Sequence, residues 1–202
     1  MRLVLYDNHA STNAHKVRLL LAELGLEAER RLVELHRPTA DYRRLHPFGL
    51  VPTLVDGDLV ITESNVALRY LAERNGRDDL RGASPRMRAR VDVLLDSLSL
   101  EVRPVLWELE RIVVYGQAAD EAATIEARAN LRDALSAYDR LLDGTGPHAL
   151  GSLTIADCAI AGRLHHLDRL GLDPEPAPRL HRALTAIRAR PAWAAAIGSL
   201  TP

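Results

Sequence analysis

Apolar positions in the leading part of the chain recur first with the period of a strand and then with that of a helix. Arg2–Tyr6 reads as a short apolar strand, followed by a polar loop over Asp7–Thr12. Val17, Leu20, Leu21 and Leu24 lie at helical spacing in Asn13–Leu24, and Gly25 stands where a helix C-cap belongs. Glu29–Leu35 alternates toward a second strand, and Asp41–Leu45 forms a brief helical turn before His46-Pro47-Phe48-Gly49. Two apolar runs then flank Asp56-Gly57-Asp58, a hairpin signal, because glycine accepts the positive φ of a tight turn. A helix over Glu63–Asn75, closed by Gly76, completes the order β-α-β-α-β-β-α. A helix-bearing crossover joins the first two strands, so they are expected to be parallel.

From Arg86 onward every periodic segment is helical. Arg88–Val114 carries Val91, Leu94, Leu95, Leu98 and Val102 on one stripe, with Pro104 expected to kink or break it. Ala122–Leu142 repeats the pattern. Thr154–Leu170 is apolar enough at its start to be a buried helix, and Pro178–Arg190 and Ala192–Ser199 are shorter. Thr154 and Asp157 have the spacing of a capping box. The expected organisation is a thioredoxin-like α/β domain at 1–76, a charged Gly/Ser/Pro-bearing linker at 77–85 and an all-α domain at 86–202.

Composition narrows the function classes. Residues 1–80 hold 11 basic and 12 acidic side chains; subtracting these from totals of 26 and 27 leaves 15 of each in the remainder. Neither half is a basic nucleic-acid surface. No run of about 18 apolar residues or signal-like segment is present, so a cytoplasmic, membrane-free protein is expected. The single cysteine, Cys158, excludes an internal disulfide framework, disfavours a cysteine-based metal site and reads as a buried small hydrophobe. His165-His166 lack metal-ligand spacing with other clusters, so no metal is expected. Lys16 is the only lysine, against 25 arginines.

The motif richest in chemistry is Val51-Pro52-Thr53-Leu54, followed by the hairpin and Glu63-Ser64. Free N–H groups at a helix start make a natural seat for a carboxylate. This block resembles the glutathione-binding half of the glutathione S-transferase superfamily. The resemblance implies a cis Pro52, a Val51 backbone that pairs with the cysteinyl part of glutathione, and Glu63 and Ser64 at the γ-glutamyl end. Without the resemblance, the same residues read as an ordinary hairpin and helix cap. The first loop supplies a second match: Ser11, Asn13, Lys16 and Val17 fit a Ser-x-Asn-x-x-Lys-Val pattern of bacterial members, with features of the zeta class.

Such enzymes lower the pKa of a bound thiol, which lies near 8.5 when free. The resemblance puts the thiolate donor at Ser11, with Asn13 as a second polar contact; Tyr6 is the competing tyrosine-type candidate. A Ser11 that simply caps the helix is compatible with either role. Arg37 matches a basic position that meets the glycyl carboxylate, and a solvated loop charge is its alternative reading. Phe48, the only phenylalanine, fits an aromatic that enters a partner subunit in some classes, which suits a homodimer, or else a core or pocket role. A hydrophobic electrophile is expected between the domains, near Leu106, Trp107, Arg111 and Tyr115. The implied activity is glutathione transfer to a small electrophile. A glutathione-dependent cis–trans isomerase of the maleylacetoacetate or maleylpyruvate type and a non-enzymatic binding protein remain the alternatives, and the physiological thiol is open.

Overall fold

The computed structural model describes residues 2–35, 37–172 and 177–197, apart from the Asp168 side chain. Strands β1 (Leu3–Asp7), β2 (Ala28–Leu32), β3 (Thr53–Asp56) and β4 (Leu59–Ile61) form one sheet in the order β2-β1-β3-β4. β1 runs parallel to β2, with Leu5 opposite Arg30, and antiparallel to β3, with Leu5 opposite Leu54. The parallel pair is joined through α1 (Thr12–Glu23), as a crossover requires. α1 and α3 (Ser64–Arg74) cover one face and bury Leu5, Leu20, Leu54, Leu68 and Leu71. α2 (Ala40–Leu45) contributes Tyr42 to a smaller cluster with Val33 and Val51. This is the thioredoxin-like arrangement expected.

The remaining helices are α4 (Asp78–Arg81), α5 (Pro85–Ser97), α6 (Arg103–Val113), α7 (Glu121–Asp139), α8 (Ile155–Arg163), α9 (Pro178–Arg188) and α10 (Pro191–Ala196). Their apolar stripes continue the core of the first domain without a break. α8 crosses α1 closely. A methyl group added at Gly162 would lie 2.5 Å from the Lys16 backbone nitrogen, so glycine is what permits this approach. The α8 start is held by Asp157, which accepts from the Thr154 N–H at 2.9 Å, the Thr154 hydroxyl at 3.2 Å and the Ala149 N–H at 2.8 Å.

Some boundaries differ from the sequence reading for identifiable reasons. β2 stops at Leu32, because the chain turns where the Arg37 N–H donates to the Glu34 carbonyl. The 77–85 segment contains α4, in which buried Arg81 pairs with Glu73 and Asp92. The Arg88–Val114 stretch is interrupted by a π-helical turn at Leu98–Val102. Pro104 follows it; lacking an N–H and crowding the carbonyl four residues back, it cannot continue an unbroken α-helix. α8 ends at Arg163, with a 3₁₀ turn over Leu167–Leu170, where one helix to Leu170 was expected. Ser199, the expected end of the last helix, lies outside the described residues.

Candidate active site

α1 begins where Ser11 leaves helical geometry, with φ −82° and ψ 108°, and its Oγ accepts from the Ala14 N–H at 3.3 Å. This cap uses an oxygen lone pair and leaves the hydroxyl hydrogen available. The next two residues are gripped from the other domain. Arg163, 5% exposed, donates from Nη1 to Thr12 Oγ1 at 2.6 Å and from Nη2 to Asn13 Oδ1. Asn13 Oδ1 also accepts from the Ser64 hydroxyl at 3.5 Å, which leaves Nδ2 as its unused donor among the described residues. Burial, followed by repulsion from Arg103, lowers the Arg163 pKa to about 10.

The second motif meets the first here. The Val51–Pro52 bond is cis. Glu63 is the N-cap of α3, but its side chain makes no capping bond and is exposed; Ser64 beside it is buried. Asn65 ties this helix start to the second domain through Nδ2, which donates to the Leu95 carbonyl at 3.0 Å and to Ser99 Oγ at 3.1 Å. Its Oδ1 accepts from the ammonium of fully buried Lys16 at 3.2 Å. Burial, then the charges of Arg163 and Arg103, pushes the Lys16 pKa well below the usual lysine value. The N-termini of α1 and α3 and the guanidinium groups of Arg103 and Arg163 border the same place, a setting that favours an anion.

Two clefts meet there. One, of about 560 Å3, includes Glu63, Ser64, Val66, Arg69 and Ser99 in its wall. The other, of about 500 Å3, is lined by Ser11, Thr12, Val51, Trp107, Glu110 and Tyr115 among others. Asn13, Leu50, Arg103 and Arg163 border both. The rings of Trp107 and Tyr115 lie 5.5 Å apart, and both are about half exposed.

Of the predicted site residues, Ser11, Asn13, Val51, Glu63 and Ser64 line these clefts, and Pro52 is buried beside them. Arg37 is exposed and lines neither cleft. Tyr6 is committed elsewhere, its hydroxyl accepting from Arg31 Nη1 at 3.0 Å and its ring tilted 5.2 Å from Tyr42. Trp107, Arg111 and Tyr115 face the second cleft as expected, whereas Leu106 points into the core. Phe48 is 78% exposed, so it fills neither core nor cleft. Cys158 is buried, and burial drives its thiol pKa well up, away from nucleophilic chemistry.

Sequence reasoning missed Arg163, Arg103, Lys16–Asn65 and a histidine cluster. His15 Nδ1 lies 3.2 Å from His165 Nδ1, and His15 Nε2 is 2.8 Å from the His9 carbonyl oxygen. Burial first, then Arg18, lowers the His15 pKa to about 3; burial first, then His15, lowers that of His165 to about 2. Among the described residues no group of three or more His, Cys, Asp or Glu is arranged to hold a metal, and no helix is long and apolar enough to cross a membrane.

Comparison with known proteins gives a consistent picture. The family model described as "Glutathione S-transferase, N-terminal domain" matches residues 10–74. The chain is 34% identical over 200 residues to glutathione S-transferase GstB of Escherichia coli K12, covering 94% of this chain and 95% of that one. It is 29% identical to a stringent starvation protein A homolog of Pasteurella multocida, over 85% of this chain and 77% of the relative. Identity is also 29% to a probable maleylacetoacetate isomerase of Vibrio cholerae, over 97% and 95% of the two chains. Among solved structures, a theta class glutathione S-transferase from Xanthomonas axonopodis pv. citri with glutathione bound superposes with a TM-score of 0.86 at 26% identity, covering 96% of each chain.

Proposed function

The chain belongs to the glutathione S-transferase superfamily, and from that premise we propose that it binds glutathione in the cleft at the α3 start and activates its thiol for attack on an electrophile in the adjoining cleft. The observation that carries this reading is the contact between Ser64 Oγ and Asn13 Oδ1, which joins two motifs 51 residues apart at the border of both clefts.

The residues fit the ligand. Glu63 has a free carboxylate for the γ-glutamyl ammonium. Ser64 and the α3 N–H groups suit the γ-glutamyl carboxylate. The Val51 backbone, ahead of the cis bond, suits the cysteinyl amide. The Ser11 hydroxyl hydrogen can be donated to the sulfur, with Asn13 Nδ2 as a second donor. The α1 N-terminus and Arg163 stabilise the thiolate over the thiol. Arg37 has no part in this arrangement. The exposed Phe48 suits a partner subunit, so we include a homodimer in the proposal.

A second reading, a glutathione-dependent isomerase acting on a carboxylate-bearing substrate, is favoured by Arg103 and Arg163 at the border of both clefts. Calorimetric titration with glutathione tests the binding step. Turnover of 1-chloro-2,4-dinitrobenzene against a maleylpyruvate-type substrate separates the two activities. Failure to bind glutathione or any other small thiol would favour a non-enzymatic member of the fold.

A further inference from the structure

Helix α6 turns one stripe toward the second cleft. Arg103, Trp107 and Glu110 all line it, at positions i, i+4 and i+7 of one helix, hence on one face. The adjacent stripe, with Leu106 and Leu109, lies in the core. At 1.5 Å of rise per residue, Arg103 and Glu110 stand about 10 Å apart, with the Trp107 indole between them.

Neither charge is hydrogen-bonded among the described residues, although Glu110 lies in the field of Arg163. Among the described residues no hydrogen bond or ion pair engages Arg103, which is exposed at the border of the two clefts. Arg111 on the neighbouring stripe is different: its Nε and Nη2 both donate to Glu108. Glu110 is only 4% exposed, and its Oε1 has no hydrogen-bond partner. His166 Nδ1 lies 3.9 Å from this oxygen, within ion-pair range but beyond hydrogen-bond reach. A carboxylate buried without a donor is unfavourable, and a donor brought by a ligand relieves the deficit.

We propose that this stripe selects electrophiles of mixed polarity: a flat unsaturated body on Trp107, a carboxylate toward Arg103 and a hydrogen-bond donor, such as an ammonium, toward Glu110. The proposal rests on the reading of the second cleft as the electrophile subsite and names the substrate class for it. It departs from a purely hydrophobic electrophile, which would leave Glu110 Oε1 buried without a hydrogen-bond donor.

The test reads binding without turnover. With Trp193→Phe as background, Trp107 is the sole indole of a chain that holds two tryptophans. Its quenching is titrated with nitrobenzene, 3-nitrobenzoate, 3-nitrobenzylamine and 4-(aminomethyl)-3-nitrobenzoate, with glutathione present. The last compound, with both charges, should bind tightest and nitrobenzene weakest. Arg103→Gln should reduce the preference for 3-nitrobenzoate over nitrobenzene about fivefold. Glu110→Gln should reduce the preference for 3-nitrobenzylamine about tenfold. Equal affinity for charged and neutral compounds, no quenching, or equal weakening of all four by either variant would overturn the proposal. Charge-selective quenching in a protein that fails to bind glutathione would instead sink the transferase reading and leave the stripe assignment standing.

Discussion

Replacing Arg163 by methionine removes the one side chain that crosses from α8 to hold the first two residues of α1. Methionine keeps much of the buried volume, so the loss is chiefly polar. Thr12 Oγ1 and Asn13 Oδ1 each lose a charge-assisted donor. Such bonds are worth about 1.5–3 kcal/mol each, which would suggest a loss of about 3–6 kcal/mol. Against this stands the cost of burying the guanidinium, several kcal/mol before compensation and visible in its pKa of about 10. Asn13 also keeps the Ser64 hydroxyl. The net expectation is a loss of about 2 kcal/mol, or a melting point lowered by about 4–8 °C for a chain of this size. Arg163→Lys should recover part of this, since an ammonium retains charge but cannot bridge both acceptors. Thermal and urea melts read the stability, and thiolate absorbance against pH reads the bound thiol, whose pKa should rise when a nearby cation is lost. A methionine variant as stable as the parent, with an unmoved thiol pKa, would refute the clamp.

Ser11→Ala should raise the pKa of bound glutathione and slow turnover by about ten- to a hundredfold, scaled down from oxyanion-hole donors because a thiolate is more diffuse; if only Asn13→Ala moves that pKa, Asn13 is the donor and Ser11 merely a cap. Glu63→Ala should weaken glutathione binding more than it slows the saturated rate, and an unchanged dissociation constant in calorimetry rules the assignment out. His15 and His165 have folded pKa values far below the ordinary 6.5, so the unfolded chain binds more protons under acid conditions and stability falls as pH drops from about 6.5 toward 3. Between pH 7 and 5 this should cost about 2 kcal/mol per imidazole. Melting curves of His165→Gln should show a smaller acid loss, and an unchanged one rejects the account. Asp157→Ala strips three bonds from a buried carboxylate and should destabilise by about 3 kcal/mol; chemical denaturation yielding less than about 1 kcal/mol would show that the box is not what fixes α8.

What was legible in the sequence is what local chemistry encodes. The order of the first seven elements follows from periodicity and turn residues. Ser11, Glu63 and Ser64 stand at helix starts, where residue type carries meaning on its own. Arg163 and Thr12 lie 151 positions apart, and no local pattern announces their bond. His15 and His165 are likewise silent, each an ordinary polar residue on a helical stretch until α1 and α8 cross. Arg37 is exposed and lines neither cleft, and position in a motif does not by itself fix where a loop side chain points. The π turn before Pro104 was visible only as a break, since a missing N–H says that a helix must yield but not how.

Gly162 and Arg163 stand side by side at the end of α8: one makes room for α1, and the other reaches through that room. The place where the two clefts meet is therefore finished only after the chain has been synthesised past residue 163. A fragment covering residues 1–80 would hold Ser11, Glu63 and Ser64, yet it would leave Lys16 facing water and Thr12 and Asn13 without Arg163. Transplanting the first domain onto an unrelated helical partner carries the same penalty unless the partner brings its own glycine–arginine step. Exchange of this chain's halves with those of other members is thus constrained by a two-residue seam as well as by the breadth of the apolar interface.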